Sequence, residues 1–137
     1  MEGDEPDETE LVYLALPDLL DLYALIIGAS ASEAADQLRN RDGLQGALAR
    51  AETYAHYEAA DLALQAAVLA HGIAEGQPFI DGNKRMALVA MLTFLAINGL
   101  RVEASDPELA NWIISFSSGA TPEDVAGHLR PALRSIE

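Results

Sequence analysis

Apolar residues recur at helical spacing through most of the chain. In the run that follows Pro17, Leu19, Leu22, Tyr23 and Ile26 fall at i, i+3, i+4 and i+7, the signature of one helical face. Pro17 suits the first turn and Gly28 the end of that helix. A shorter helix is predicted from Ser32, its expected cap, to Leu38. Tyr57 to Glu75 reads as a long, largely buried helix stopped by Gly76, with Glu58, Asp61 and Gln65 on one polar stripe. Met86 to Asn98 is apolar nearly all round, the pattern of a central core helix, and Asn98-Gly99 ends it. Ser105-Asp-Pro-Glu108 and Thr121-Pro-Glu-Asp124 each open a further helix with a cap, an early proline and an acidic first turn. The first carries Trp112, Ile113 and Phe116; Trp112 and Phe116, at i and i+4, read as core. The second is expected to present Val125, Leu129, Leu133 and Ile136 on its apolar face.

The segment from Arg39 to Tyr54 is the least regular. It has two glycines, one in an Asp-Gly pair, and surface charges at Arg39, Arg41, Asp42, Arg50 and Glu52. A loop or short hairpin is predicted, with a plain connection equally compatible. The fold expectation is therefore all-α: a bundle of about six helices with one small β-hairpin flap.

Composition adds limits. The 137 residues suit one hydrophobic core, and scarce aromatics with abundant alanine favour closely packed helices over a sandwich. The absence of cysteine excludes disulfides and thiolate metal sites. The net charge is −14, and six carboxylates fall within MEGDEPDETE, which leaves −8 for the remainder. Residues 1–11 are expected to form a solvated, disordered tail and residues 12–137 the folded domain. So acidic a domain is a poor general binder of nucleic acid, which needs clustered Lys and Arg. The acidic start is unlike the basic opening of a signal peptide. Met86 to Ile97, interrupted by Thr93, is shorter than the about 20 apolar residues that span a bilayer. A cytoplasmic protein without a membrane segment is expected.

The chemistry concentrates in QPFIDGNKR, Gln77 to Arg85, between two buried helices. A glycine-containing loop that runs into a helix N-terminus offers unpaired N–H groups and a positive dipole end to an anion. Gly82 permits close backbone approach to a phosphate. Lys84 and Arg85 add positive charge, and Arg grips phosphate with two parallel hydrogen bonds. Asp81 has the chemistry to hold Mg²⁺ beside phosphate oxygens, and Phe79 to anchor the loop in the core. As spacing alone, the same residues also fit a helix-capping turn with a solvated Lys-Arg pair.

The segment closely resembles the Fic/Doc signature, which opens His-x-Phe-x-Asp/Glu-Gly-Asn. Phe79, Asp81, Gly82 and Asn83 match, Pro78 is the usual filler, and the resemblance extends from about Val12 to the C-terminus. It implies ATP and Mg²⁺ as ligands. It implies Asp81 as metal ligand, Gly82, Asn83, Lys84 and Arg85 as phosphate binders, and position 77, Asp81 and Arg85 as catalytic. Adenylylating Fic proteins place Gly then Arg after the Asn, and a second Arg three residues on. Here Lys84 stands for that Gly and Leu88 for the second Arg, which resembles the death-on-curing, or Doc, branch. Doc proteins are toxins of toxin–antitoxin pairs that transfer the γ-phosphate of ATP to a threonine of bacterial translation factor Tu. The chain has no Ser/Thr-x-x-x-Glu-Gly/Asn inhibitory motif, which suits an antitoxin acting in trans. Adenylylation and a binding-only module are the alternatives.

The departure is Gln77, where the family has a histidine that takes the proton of the attacking hydroxyl. A glutamine amide can orient a hydroxyl but has no proton-accepting group near neutral pH. A silenced toxin, a natural pseudoenzyme, and a different reaction in which Gln77 positions a group all fit this sequence. Elsewhere, His71 and Glu75 lie four apart like a metal pair but lack a third ligand. His56 and His128 have no motif around them. Tyr54 and Tyr57 fit either the border of a nucleotide pocket or partial burial.

Overall fold

A computed structural model describes residues 11–57 and 60–136 of the chain. Among the described residues, seven α-helices follow one another: α1 (Leu16–Ile27), α2 (Ala31–Asp36), α3 (Arg41–Tyr57), α4 (Leu62–Gly76), α5 (Asn83–Ile97), α6 (Asp106–Ser115) and α7 (Pro122–Leu129). Two short strands, β1 (Leu100–Val102) and β2 (Leu133–Ser135), pair antiparallel with Arg101 opposite Arg134. The fold is all-α with one small sheet. No helix among the described residues is long and apolar enough to cross a membrane. The acidic stretch at residues 1–10 lies outside the described residues.

Local signals set most of the helix ends. Gly28 closes α1 in the left-handed conformation at φ 68°. Ser105 and Thr121 form the expected capping boxes of α6 and α7 with Glu108 and Asp124. The cap of α2 is Ser30, not Ser32; its hydroxyl accepts the Glu33 N–H and the Glu33 carboxylate accepts the Ser30 N–H. Helix α7 ends at Leu129, because Pro131 two residues on cannot continue it. Leu133 therefore lies in β2 rather than on the helix face, and Ile136 is exposed.

The segment expected as a flap is a helix. Asn40 starts α3: its side chain accepts the Gly43 N–H at 2.9 Å and its carbonyl the Leu44 N–H at 3.1 Å. Leu44, Ala47 and Ala51 then form a narrow buried stripe against α4. The small sheet forms instead where β2 returns past β1, and its strands are 30 residues apart in sequence.

Helix α4 is enclosed by α3, α5 and α7 and is buried nearly all round. It starts later than its pattern predicts, because Asp61 is its N-cap and accepts the Leu64 N–H at 2.9 Å. Gln65 is buried rather than solvated; its amide donates to the Ala60 carbonyl and accepts from the Tyr13 hydroxyl. Glu58, the third member of that stripe, lies outside the described residues.

Arg130 ties the start of α4 to α7 by holding Asp61 and Glu123, each at 2.7 Å. The Arg130 hydrogen bond is the main cause that keeps the Asp61 carboxyl below its ordinary value of 3.8. Asp61→Ala is expected to cost about 1–2 kcal/mol in urea denaturation, and Asp61→Asn less, because Asn caps nearly as well. The exposed ion pair itself adds at most about 1 kcal/mol. A depressed folded pKa gives stability that is present above 3.8 and lost as pH falls through the folded value. The gap between parent and Asp61→Ala should therefore narrow on acidification below that pH.

Candidate active site

The loop between α4 and α5 is shaped from three sides. Helix α4 ends at Gln77, whose φ of 47° and ψ of 58° are left-handed, and its N–H donates to the Ile73 carbonyl at 3.0 Å. Gln77 is the only non-glycine with positive φ among the described residues. Pro78 then forbids further helix. Its carbonyl accepts the Arg39 and Asn40 N–H groups at 2.8 and 3.1 Å, and the Ile80 N–H donates to the Gln37 carbonyl at 2.9 Å. Residues 37–40 thus act as a strap along the loop, with Leu38 bridged to Phe79.

Phe79 is fully buried and lies flat on Tyr23 of α1, with ring centroids 3.8 Å apart and planes 10° from parallel. The Tyr23 hydroxyl donates to the Asp81 backbone carbonyl at 2.8 Å. Burial first, then the nearby Asp81 charge, pushes the Tyr23 pKa up. The Asn83 side chain closes the loop: its amide donates to the Phe79 carbonyl and accepts the Phe79 N–H, both at 2.9 Å. That amide is therefore spent on loop shape, and Asn83 offers the cleft its backbone N–H. Gly82 adopts φ 74° at the N-cap of α5. Added side-chain bulk would meet only Tyr23, at 3.9 Å, so backbone conformation and not crowding calls for glycine.

The first intrahelical bond of α5 runs from the Met86 N–H to the Gly82 carbonyl at 2.9 Å. The N–H groups of Asn83, Lys84 and Arg85 consequently have no partner in the helix. All three residues line an open cleft of about 290 Å³, together with Ala74, Gln77, Asp81 and Gly82. Lys84 and Arg85 are exposed and make no ion pair with a described residue. Free N–H groups, a helix dipole and two cations make this wall suited to an anion. Every residue expected in the chemistry borders the cleft, while Phe79 anchors it from below.

A family model described as the Fic/DOC family matches residues 13–95. The chain belongs to the Fic/DOC family. No curated protein sequence matches it. Membership accounts for the all-α fold and for the Fic/DOC loop between its two most buried helices.

Asp81 fits the metal-ligand role. It is exposed, one carboxylate oxygen accepts the Gly82 N–H at 2.8 Å, and the other makes no bond to a described residue. No group of three or more His, Cys, Asp or Glu among the described residues is placed to hold a metal. A cage of protein ligands is thus lacking, whereas one carboxylate plus phosphate oxygens is the usual Mg²⁺ arrangement. His71 packs edge-on against Phe116 at 5.0 Å, and His128 stacks on Trp112 at 5.6 Å. Tyr54 lines a separate hollow with Leu64 and Thr121, away from the cleft. The side chains of His56 and Tyr57 lie outside the description.

Tyr23 and the strap residue Arg39, whose Nε donates to the Gln77 carbonyl at 3.4 Å, are site neighbours that pattern alone does not mark. The available signal for Tyr23 was its place on a buried helix face, since a buried phenol needs an acceptor.

Proposed function

We propose that this Fic/DOC chain is a Doc-like ATP-dependent protein phosphotransferase scaffold whose reaction is held down by Gln77. The observation that supports it most is the convergence on one cleft of the α5 N-terminus, Lys84, Arg85 and Asp81 with Gln77 at its edge. In this reading the N–H groups of residues 83–85 and the two cations bind the phosphates of ATP, and Asp81 holds Mg²⁺, which neutralises phosphate charge. An acceptor hydroxyl oxygen bonds to the γ-phosphorus, the bond to the β–γ bridging oxygen breaks, and ADP leaves. The hydroxyl proton needs a base, and position 77 is where a histidine would take it.

The proposed partners are a target protein with an acceptor Ser or Thr, with translation factor Tu as the leading candidate, and an antitoxin supplied in trans. Adenylylation is the second reading. Leu88 stands at the position of a second phosphate-gripping Arg and supplies no charge there, which disfavours it; it lines a groove with Ala110, Ile113 and Ile114 that Lys84 and Arg85 also border. The test incubates the parent chain and Gln77→His with bacterial lysate and ATP labelled at α or γ. Label from γ supports the proposal; label from α supports adenylylation; label from neither supports a binding-only module. Independently, Arg85→Ala is expected to weaken Mg²⁺–ATP binding in calorimetry by about 1.5–3 kcal/mol, the range for a hydrogen bond to a charged group. Equal affinity would remove the cleft as the phosphate site.

A further inference from the structure

Tyr23 is only 1% exposed and stands beside the cleft without a part in the chemistry above. Its ring accounts for the contact with Phe79; a phenylalanine would supply the same stacking. The hydroxyl does something separate. The strap of residues 37–40 holds Gln77, Pro78 and Ile80, and the Asn83 amide holds Phe79. Neither clamp reaches the Asp81 peptide. Among the described residues, the Tyr23 hydroxyl is the only group bonded to the Asp81 carbonyl. That peptide carries the one carboxylate on the cleft wall; the Gly82 N–H holds one oxygen of that carboxylate at 2.8 Å, but Gly82 has no side chain to fix the peptide itself.

We infer that Tyr23 is a positioning residue: by holding the Asp81 carbonyl toward the core, it aims the Asp81 carboxylate at a divalent cation bound with the phosphates. The inference rests on the reading of the cleft as an Mg²⁺–nucleotide site. The phosphate-facing N–H groups of residues 83–85 are set by α5 and by the Asn83 closure, so they do not depend on Tyr23. Tyr23 therefore controls the metal-dependent part of binding and leaves the metal-free part alone.

The test is calorimetry with Mg²⁺–ATP and with metal-free pyrophosphate on the full chain, Tyr23→Phe, Asp81→Asn and the double variant. Tyr23→Phe keeps the ring against Phe79, so the fold should survive. Its affinity for Mg²⁺–ATP should fall about tenfold, the lower end for removal of a group that orients a metal ligand. Its affinity for pyrophosphate should be unchanged. In the Asp81→Asn background, Tyr23→Phe should have no further effect on Mg²⁺–ATP. Equal weakening with and without metal, an undiminished effect in the Asp81→Asn background, or no weakening at all would overturn the inference. Failure of the parent chain to bind either probe would instead remove the reading of the cleft on which the inference stands.

Discussion

Gln77→His is expected to arrest growth of bacteria that tolerate the parent chain, and to speed target modification about 10²- to 10⁴-fold. The gain is chemical, not structural. Gln77 is exposed and left-handed at φ 47°. Histidine is among the residues enriched in that conformation. The neighbouring bonds use the backbone of residue 77, its N–H to Ile73 and its carbonyl to Arg39, so both survive the exchange. The stability change should stay within about 0.5 kcal/mol. What changes is the presence of a proton acceptor. A hydroxyl is a weak nucleophile at neutral pH unless a neighbour removes its proton. Lys84 and Arg85 are cations spent on phosphate in this reading, and an Asp81 carboxylate bound to metal is a poor base. Expression of both forms from a tightly controlled promoter, matched for soluble protein, measures the difference. Equal growth would separate position 77 from toxicity and take away the main support for a Doc-like role.

How far the sequence carries depends on whether a signal is local. Ser105 with Glu108, Thr121 with Asp124, and Gly28 after α1 satisfy backbone groups within four residues of themselves, and each acts as its pattern implies. The loop was legible for the same reason, since residues 77–85 supply their own glycine, cations and carboxylate. Three things were not local. Gln65 sits in a polar stripe in the sequence, yet its partners are the Ala60 carbonyl and Tyr13, 52 residues away. Tyr23 is 58 residues from Asp81, and only folding brings its hydroxyl to that carbonyl. The strap pairs residues 37–40 with 78–80 through backbone groups, which carry no side-chain signature.

Helix α3 is the instructive case. Gly43 and Gly46 each disfavour helix by about 1 kcal/mol relative to alanine, and an Asp-Gly pair invites a turn. Tertiary packing overrides both. A Cβ placed on Gly72 of α4 would lie 2.7 Å from the Ala47 Cβ, so α3 and α4 approach closely because each is small at the crossing. That contact rewards α3 for being helical, and nothing within its own sequence announces it.

Ala47→Pro therefore is expected to disrupt the fold. Ala47 is fully buried, six residues into the 17-residue helix α3. Proline there removes a helix hydrogen bond and clashes with the preceding turn, at about 3 kcal/mol or more. Its ring must also enter the closest part of the α3–α4 contact, and overpacking of that kind adds about 1–3 kcal/mol. A sum of about 4–6 kcal/mol is comparable with the whole stability of a small domain. Because Asn40 both caps α3 and holds the Pro78 carbonyl, the loop loses its strap when α3 unfolds. Helical circular dichroism, the urea midpoint and pyrophosphate affinity should thus fall together. Had residues 39–54 formed a flap that pairs with a target strand, the same proline would block target modification alone, with helicity and anion binding intact. That dissociation, found in the Gln77→His background, would refute the helical account of the segment.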